Sequence, residues 1–284
     1  MKVVCLNTWG GRLEKELFNY LRHSNADVFC LQELFSGSQV KPQQKRFKDD
    51  DGHSVNLRLF EDIAAILPNH TGYFSGGSKG YVNDSQWVDL PFEYGIGVFI
   101  HKNIKVNEYL TGIAFGSYRS SGTGKPPLPR PAQIMRISLN SESYTFGNIH
   151  GLWESKGKMD TRKRKNQADN FGRLFDSTAE EDDGLFVCGD FNLLKNSNMF
   201  INSKFNLKRN LILEKGITST RTSIYKKENR FADYVISNES IDFLNLRVPQ
   251  KPIVSDHCPL EFEIRQHELA MMDRAFENKG SMYR

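Results

Sequence analysis

Apolar residues in this chain come in short runs that end abruptly at polar ones, the pattern of buried strands. Val3-Val4-Cys5-Leu6 stops at Asn7, and Val28-Phe29-Cys30-Leu31 stops at Gln32-Glu33. Between them Leu13, Leu17, Tyr20 and Leu21 recur at helical spacing, so residues 2–33 predict strand, helix, strand. The same order returns in the second half. Tyr144–Gly147 runs into Asn148-Ile149-His150, a polar helix over about 160–176 places Phe171, Leu174 and Phe175 on one face, and Leu185–Cys188 runs into Gly189-Asp190-Phe191-Asn192. In each β-α-β unit the polar residues sit at the carboxyl ends of buried strands, where open α/β sheets place their ligand sites.

The middle and the end are richer in strands. Tyr94–His101, Ile104–Gly112, Ala132–Leu139 and Tyr144–His150 predict one antiparallel run, and Phe231–Ser237, Phe243–Val248 and Leu260–Ile264 another. Strands on both sides of the β-α-β units predict two packed sheets with helices outside, an α/β (α+β) chain. Residues 36–55, 75–92 and the Gly/Ser/Pro-rich 116–131 read as loops. No linker separates two cores, so residues 1–266 are expected to form one domain. Residues 267–284, with Leu269, Met272 and Phe276 at helical spacing, read as a C-terminal helical extension.

Composition narrows the class without naming a partner. Of 284 residues, 38% are hydrophobic and 25% charged, which fits a globular protein and excludes collagen, a coiled coil and long disorder. Thirty-eight Lys+Arg against 34 Asp+Glu leave a formal charge of +4, too small to separate a nucleic-acid binder from an enzyme of phosphorylated small molecules or lipids. No run approaches the ~20 apolar residues of a membrane-spanning helix, and the first residues lack the ~7–15-residue apolar region of a signal peptide. Cys5, Cys30, Cys188 and Cys258 lack C-x-x-C spacing, and three lie in strand-like runs. Reduced core thiols and a cytoplasmic location are therefore expected.

The strand-end polar residues form a chemical set: Asn7, Glu33, Asn148, His150, Asp190, Asn192, Asp233, Asp256 and His257. Glu33, Asp190, Asp233 and Asp256 all interrupt apolar runs, where a carboxylate is costly unless paired or bound to metal. If the strand ends converge on one rim, carboxylates, amides and imidazoles without thiols make a site suited to Mg²⁺ or Mn²⁺ rather than zinc. Such a site serves phosphate-ester hydrolysis: the cation neutralises phosphoryl charge while a carboxylate or imidazole handles the water.

These residues, in LNTW (Asn7), LQE (Glu33), NIHG (His150), GDFN (Asp190, Asn192), ADYV (Asp233) and SDHCPL (Asp256, His257), resemble the ordered signature of the endonuclease/exonuclease/phosphatase superfamily. The resemblance runs from residue 3 to about 264. It implies a four-layer α/β/β/α sandwich, two mixed sheets flanked by helices, with a metal site at one rim. It implies Glu33 as the principal Mg²⁺ ligand, with Asn7 beside it and Asp256 in or near the metal shell. Asp190 would orient or deprotonate the attacking water, and Asn192 would hold a phosphate oxygen. His257 would stabilise the transition state or move a proton, with Asp233 fixing its tautomer and charge. His150 would contact phosphate. Arg130, which opens the R-P-A-Q strand, is a further candidate for that contact. Whether Asp190 or the Asp233–His257 pair is the base stays open at this level.

Substrate signals are weaker. The loop after His150 carries Trp153, Lys156 and Lys158, and every residue of Arg162–Lys165 is basic. This strip reads either as a contact for polymer phosphates or as a solvated helix face balanced by Glu180–Asp183. Arg164-x-x-Gln167 resembles an element of several family branches and reads as helix packing. Trp9 and Trp153 follow motif residues and are candidates for stacking on a base or sugar. The P-A-W-C-D-R element of inositol phosphatases and the N-x-Y-x-P-N element of abasic-site endonucleases are both replaced by other residues. The chain is thus expected to be a Mg²⁺-dependent phosphodiester hydrolase, a monomeric nuclease or phosphodiesterase acting on nucleic acid or a nucleotide-derived substrate. A phosphatase or phospholipase acting on an inositol phosphate, lipid headgroup or other small phosphoester is the alternative. A catalytically silent binding module is the alternative from another class.

Overall fold

The computed structural model describes residues 1–50, 52–83, 86–123, 127–140 and 142–265. The helix expected over 267–284 lies outside the described residues. In the first β-α-β unit, β1 (Lys2–Asn7) and β2 (Val28–Ser36) run parallel and are joined by α1 (Glu14–His23). Successive strand residues face opposite ways. Val3, Cys5, Val28 and Cys30 therefore enter one core while Val4, Leu6, Phe29 and Leu31 enter another.

The chain continues through β3 (Arg46–Lys48), β4 (Ser54–Asn56), α2 (Leu59–Ile66), β5 (His70–Lys79), β6 (Glu93–His101) and β7 (Lys105–Phe115). Then come β8 (Arg130–Leu139), β9 (Glu142–His150), α3 (Arg162–Thr178), β10 (Gly184–Asp190), β11 (Arg209–Asn210) and α4 (Leu211–Glu214). β12 (Asp233–Ser237), β13 (Phe243–Arg247) and β14 (Leu260–Ile264) complete it.

Two six-stranded sheets result, ordered β5-β6-β2-β1-β14-β13 and β7-β8-β9-β10-β12-β11. Each has one central parallel pair, β1/β2 or β9/β10, flanked by antiparallel strands. The two β-α-β units are thus equivalent in architecture. Phe186 of β10 meets Phe262 of β14 edge-on at 5.6 Å, so the sheets pack face to face. Leu17 and Leu21 of α1, with Leu59 and Ile63 of α2, cover the outer face of the first sheet. Phe171 and Leu174 of α3 lie against Gly147 and Gly112 on the outer face of the second. The layers are α/β/β/α, as expected.

Local differences have simple causes. β5 runs to Lys79, into the segment read as a loop, because its Gly76-Gly77 pair dilutes the apolar pattern while pairing with β6 holds the backbone. The short helix α2 was not expected. The strand read from Phe231 begins at Asp233.

A buried amide network ties the sheets together just below the rim. Gln32 donates to Asn148 Oδ1 at 2.7 Å, and Asn148 Nδ2 donates to Gln133 Oε1 (3.1 Å), Gly97 O (3.2 Å) and Leu31 O (3.3 Å). Asn148, grouped with the rim residues on sequence, is instead a fully buried cross-link. Asn148→Leu would strand the Gln32 and Gln133 side chains. The expected cost is about 1–3 kcal/mol, read as a lower urea midpoint at an unchanged m-value.

Candidate active site

The rim residues are delivered by strand register. Asp190, the last residue of β10, lies directly between His150 of β9 and Asp233 of β12. On the other sheet Asn7 pairs with Gln32 at the ends of β1 and β2. Glu33 is the extra residue of a β-bulge: Gln32 pairs with Ile96 and Leu34 with Gly95, leaving Glu33 between them at φ +54°. The bulge lets Leu31 and Leu34 both keep to the helix-side core while Glu33 turns to the rim. Trp9 and Asn192 also adopt positive φ, 53° each. Three non-glycine residues in the left-handed region around one cleft are a concentration of strain typical of functional sites.

Hydrogen bonds fix the floor. Asn7 Nδ2 donates to Glu33 Oε1 (2.9 Å) and to Asp190 Oδ2 (3.0 Å), bridging the sheets. The Asn192 backbone N–H donates to Asp190 Oδ1 (2.9 Å), and its side-chain amide donates to Gly151 O (3.2 Å). His257 Nδ1–H donates to both Asp233 oxygens (2.7 and 2.9 Å). Its Nε2 then lies 3.6 Å from Asp190 Oδ2 and 3.8 Å from Asp256 Oδ1. His150 Nε2 stands 3.8 Å from Asp190 Oδ2 and 3.9 Å from Glu33 Oε1. Asp256 is ion-paired to Arg221 at 2.6 Å.

The two histidines are driven apart in charge. Burial, reinforced by Arg130, lowers the His150 pKa to about 3, so its ring is neutral. Burial and Arg221 also oppose charge on His257, but Asp233, Asp256 and Asp190 outweigh them and raise its pKa. Burial pushes the Asp190 carboxyl up, yet His257 and the surrounding cations hold it well below the usual carboxylate range. Glu33 is shifted the other way, raised by desolvation against the opposing Asn7 hydrogen bond.

The ligand atoms of Glu33, His150 and Asp190 lie within 4.8 Å of one another, as do those of Asp190, Asp233 and His257. The first group offers two carboxylates and a neutral imidazole, and its Glu33 side chain is 27% exposed, so it opens to a ligand and fits a divalent cation. The second is closed by the Asp233–His257 bond. Asn7 meets the carboxylates through its amide donor, while its Oδ1 accepts from the Trp9 backbone N–H.

A cleft of 350 Å³ stands over this floor. Glu33, His150, Asp190, Asn192, Asp256, His257, Arg130 and Trp153 all line it, and Asn7 and Asp233 support it from behind. Sequence reasoning missed Arg12, Arg221, Tyr94 and Tyr225, which also line it: Tyr94 opens a predicted strand whose pattern signals burial rather than function, and the others belong to no functional motif. Lys158 was read only as part of the basic strip. That strip divides: Lys158 reaches the cleft, whereas Arg164 is buried (3% exposed) and donates to backbone carbonyls. Lys165 pairs with Asp169 at 2.8 Å. Asp183 of the acidic run holds Arg136, not the helix.

Two mixed sheets that close a rim of carboxylates, amides and imidazoles define an α/β/β/α hydrolase sandwich. The chain belongs to the Endonuclease/Exonuclease/phosphatase family, whose model matches residues 4–257. Members are metal-dependent hydrolases of phosphoester bonds, and the chain is such an enzyme. Solved structures agree on the fold. The Bacteroides thetaiotaomicron mannosyl-6-phosphatase is 14% identical over 94% of this chain and 100% of its own, with a TM-score of 0.64. The human Nocturnin catalytic domain, solved with bound sulfate, is 18% identical over 93% of each chain, with a TM-score of 0.61. A family protein from Bacteroides vulgatus is 15% identical over 93% of this chain and 98% of its own, with a TM-score of 0.62. Comparison with curated protein sequences gives no match. Among the described residues no helix is long and apolar enough to cross a membrane.

Proposed function

We propose that the enzyme is a Mg²⁺-dependent phosphodiester hydrolase acting on nucleic acid or a nucleotide-derived substrate. The observation that carries this reading is the cleft itself. An acidic floor of Glu33 and Asp190 is faced by Arg130, Lys158 and Arg221 and walled by Trp9, Tyr94, Trp153 and Tyr225. Cations suit phosphate, and aromatic faces suit a base or sugar. The Trp153 side, 43% exposed, leaves the cleft open to a larger substrate.

Glu33 and Asp190, with His150, would hold the cation, which when bound supplies charge neutralisation at phosphoryl oxygens; Mn²⁺ fits the same donors. Asn7 keeps the two carboxylates at a fixed separation, and Asp256 acts beside them through Arg221. Asp190, acceptor-only and held by two N–H donors, orients the attacking water. His257, charged through Asp233, stabilises the negative charge that develops on the phosphoryl group and serves as an electrostatic group rather than the base. Neutral His150, Asn192 and Arg130 contact phosphate oxygens. Four free, buried cysteines support a cytoplasmic setting, and the enzyme is proposed to work as a monomer.

A phosphatase acting on a small phosphoester is the second reading. It is favoured by the similarity to a mannosyl-6-phosphatase and by a cleft sized for one small ligand. A panel of single- and double-stranded DNA, RNA, bis(p-nitrophenyl) phosphate, sugar phosphates, inositol phosphates and sphingomyelin separates the two. The first reading expects turnover of a polynucleotide or nucleotide diester. Turnover confined to phosphomonoesters would replace it with the second.

A further inference from the structure

We propose that Lys158 is a substrate-binding cation of the reaction centre, its ammonium holding a non-bridging phosphoryl oxygen, and that Arg164 is the positioning residue that fixes the loop carrying it. The inference rests on the phosphoester-hydrolase reading of the cleft and adds a residue to it.

Lys158 lines the cleft beside Asp190, Asn192 and His257. Two other cations of the cleft are held by carboxylates. Arg221 is paired with Asp256 at 2.6 Å and Arg12 with Asp49 at 2.5 Å, so their charge is locally answered. Lys158 Nζ donates instead to a neutral acceptor, Phe231 O, at 2.5 Å, and no carboxylate among the described residues forms an ion pair with it. An ammonium has three donors. One is engaged by the carbonyl, which anchors the group, and two are left for a ligand. Burial draws the amine down to about 8, against the raising fields of Asp190, Asp233 and Asp256, while Arg221 adds to the lowering. An anionic ligand would relieve that cost.

The loop between β9 and α3 has no regular structure, yet it is held at several points by α3. Arg164 donates to Gly157 O (2.7 Å), Leu152 O (3.3 Å) and Met159 O, and lies 3.7 Å from Glu154. Gln167 accepts from the Leu152 N–H at 2.8 Å, and Thr161 donates to Glu154 at 2.8 Å. The R-x-x-Q element, read from sequence as helix packing, is therefore the clamp of the Lys158 loop. A planar guanidinium spreads its donors over two terminal nitrogens in a fixed fork and so reaches separated carbonyls, whereas the three donors of a lysine radiate from one nitrogen.

The test uses the metal-loaded full chain, bis(p-nitrophenyl) phosphate as substrate and inorganic phosphate as inhibitor. Lys158→Met is expected to lower kcat/KM by about 10²-fold, with a weakening of phosphate inhibition of about tenfold, and Lys158→Arg to recover much of both. Arg164→Lys should lower kcat/KM about tenfold with the same weakening of phosphate inhibition. A second arm needs no turnover: acetylation of Lys158, followed by mass spectrometry, should be slowed by saturating phosphate while that of exposed Lys156 is not. If the hydrolase reading alone is wrong, the first arm is silent and the labelling still decides. The inference is overturned if phosphate does not protect Lys158. It is also overturned if Lys158→Met keeps kcat/KM and phosphate inhibition within about threefold of wild type, since Lys158 would then only tie the loop to Phe231.

Discussion

Asp190→Asn is expected to lower kcat by about 10³-fold while the protein stays folded. The side chain is buried, its two oxygens accept from Asn192 N–H and Asn7 Nδ2, and His257 and His150 approach it from either side. An amide of the same shape keeps the packing and one acceptor. It loses the negative charge that orients water, and it places an N–H donor against one of two groups that are themselves donors. The surrounding cations favour the charged carboxylate, so the amide also lowers stability, and the thermal melt separates that cost from the loss of turnover. Steady-state kinetics and a thermal melt on the same preparation check both halves. A variant with near wild-type kcat would remove Asp190 from the chemistry.

Glu33→Gln carries the second large expectation: turnover reduced by about 10²–10³-fold, with a raised Mg²⁺ requirement. The bulge that lifts Glu33 out of the β2 ladder, at a positive φ that a side chain adopts only at a cost, has no packing return, because Leu31 and Leu34 already fill the core beneath. Its side chain is the exposed corner of the Glu33–His150–Asp190 group. Glutamine preserves the shape and an acceptor for Asn7 and removes only the charge that a divalent cation would use. The prediction therefore separates a ligand from a structural residue.

Much of this centre could be read before any coordinates, because the strands that carry it are buried on both faces and end in abrupt polarity. Asn7, His150, Asp190 and Asn192 stood out for that reason, and register across β9, β10 and β12 turned their order in the chain into proximity. What escaped had physical causes of its own. Asn148 alternates onto the same face as His150 but one step further down the strand, where a polar side chain meets the opposite sheet instead of the cleft. Arg164 was legible as helix packing through its R-x-x-Q element, but not its partners, which are carbonyls of an irregular loop that leaves no pattern in sequence. Arg221 reaches the cleft through a single bridge with His257 in an otherwise aperiodic segment, which leaves no pattern to detect. β5 was hidden by glycines, since backbone pairing on a sheet edge does not require an apolar signature.

The most direct test is hydrolysis of bis(p-nitrophenyl) phosphate by metal-stripped protein, with Mg²⁺ added back to wild type and Glu33→Gln in parallel. The expected result is no turnover without metal and full recovery of wild type with Mg²⁺. The variant should recover only a small fraction, and that at much higher metal concentration. Undiminished turnover of the stripped protein, or the same Mg²⁺ dependence in both proteins, would contradict a metal-dependent centre built on Glu33.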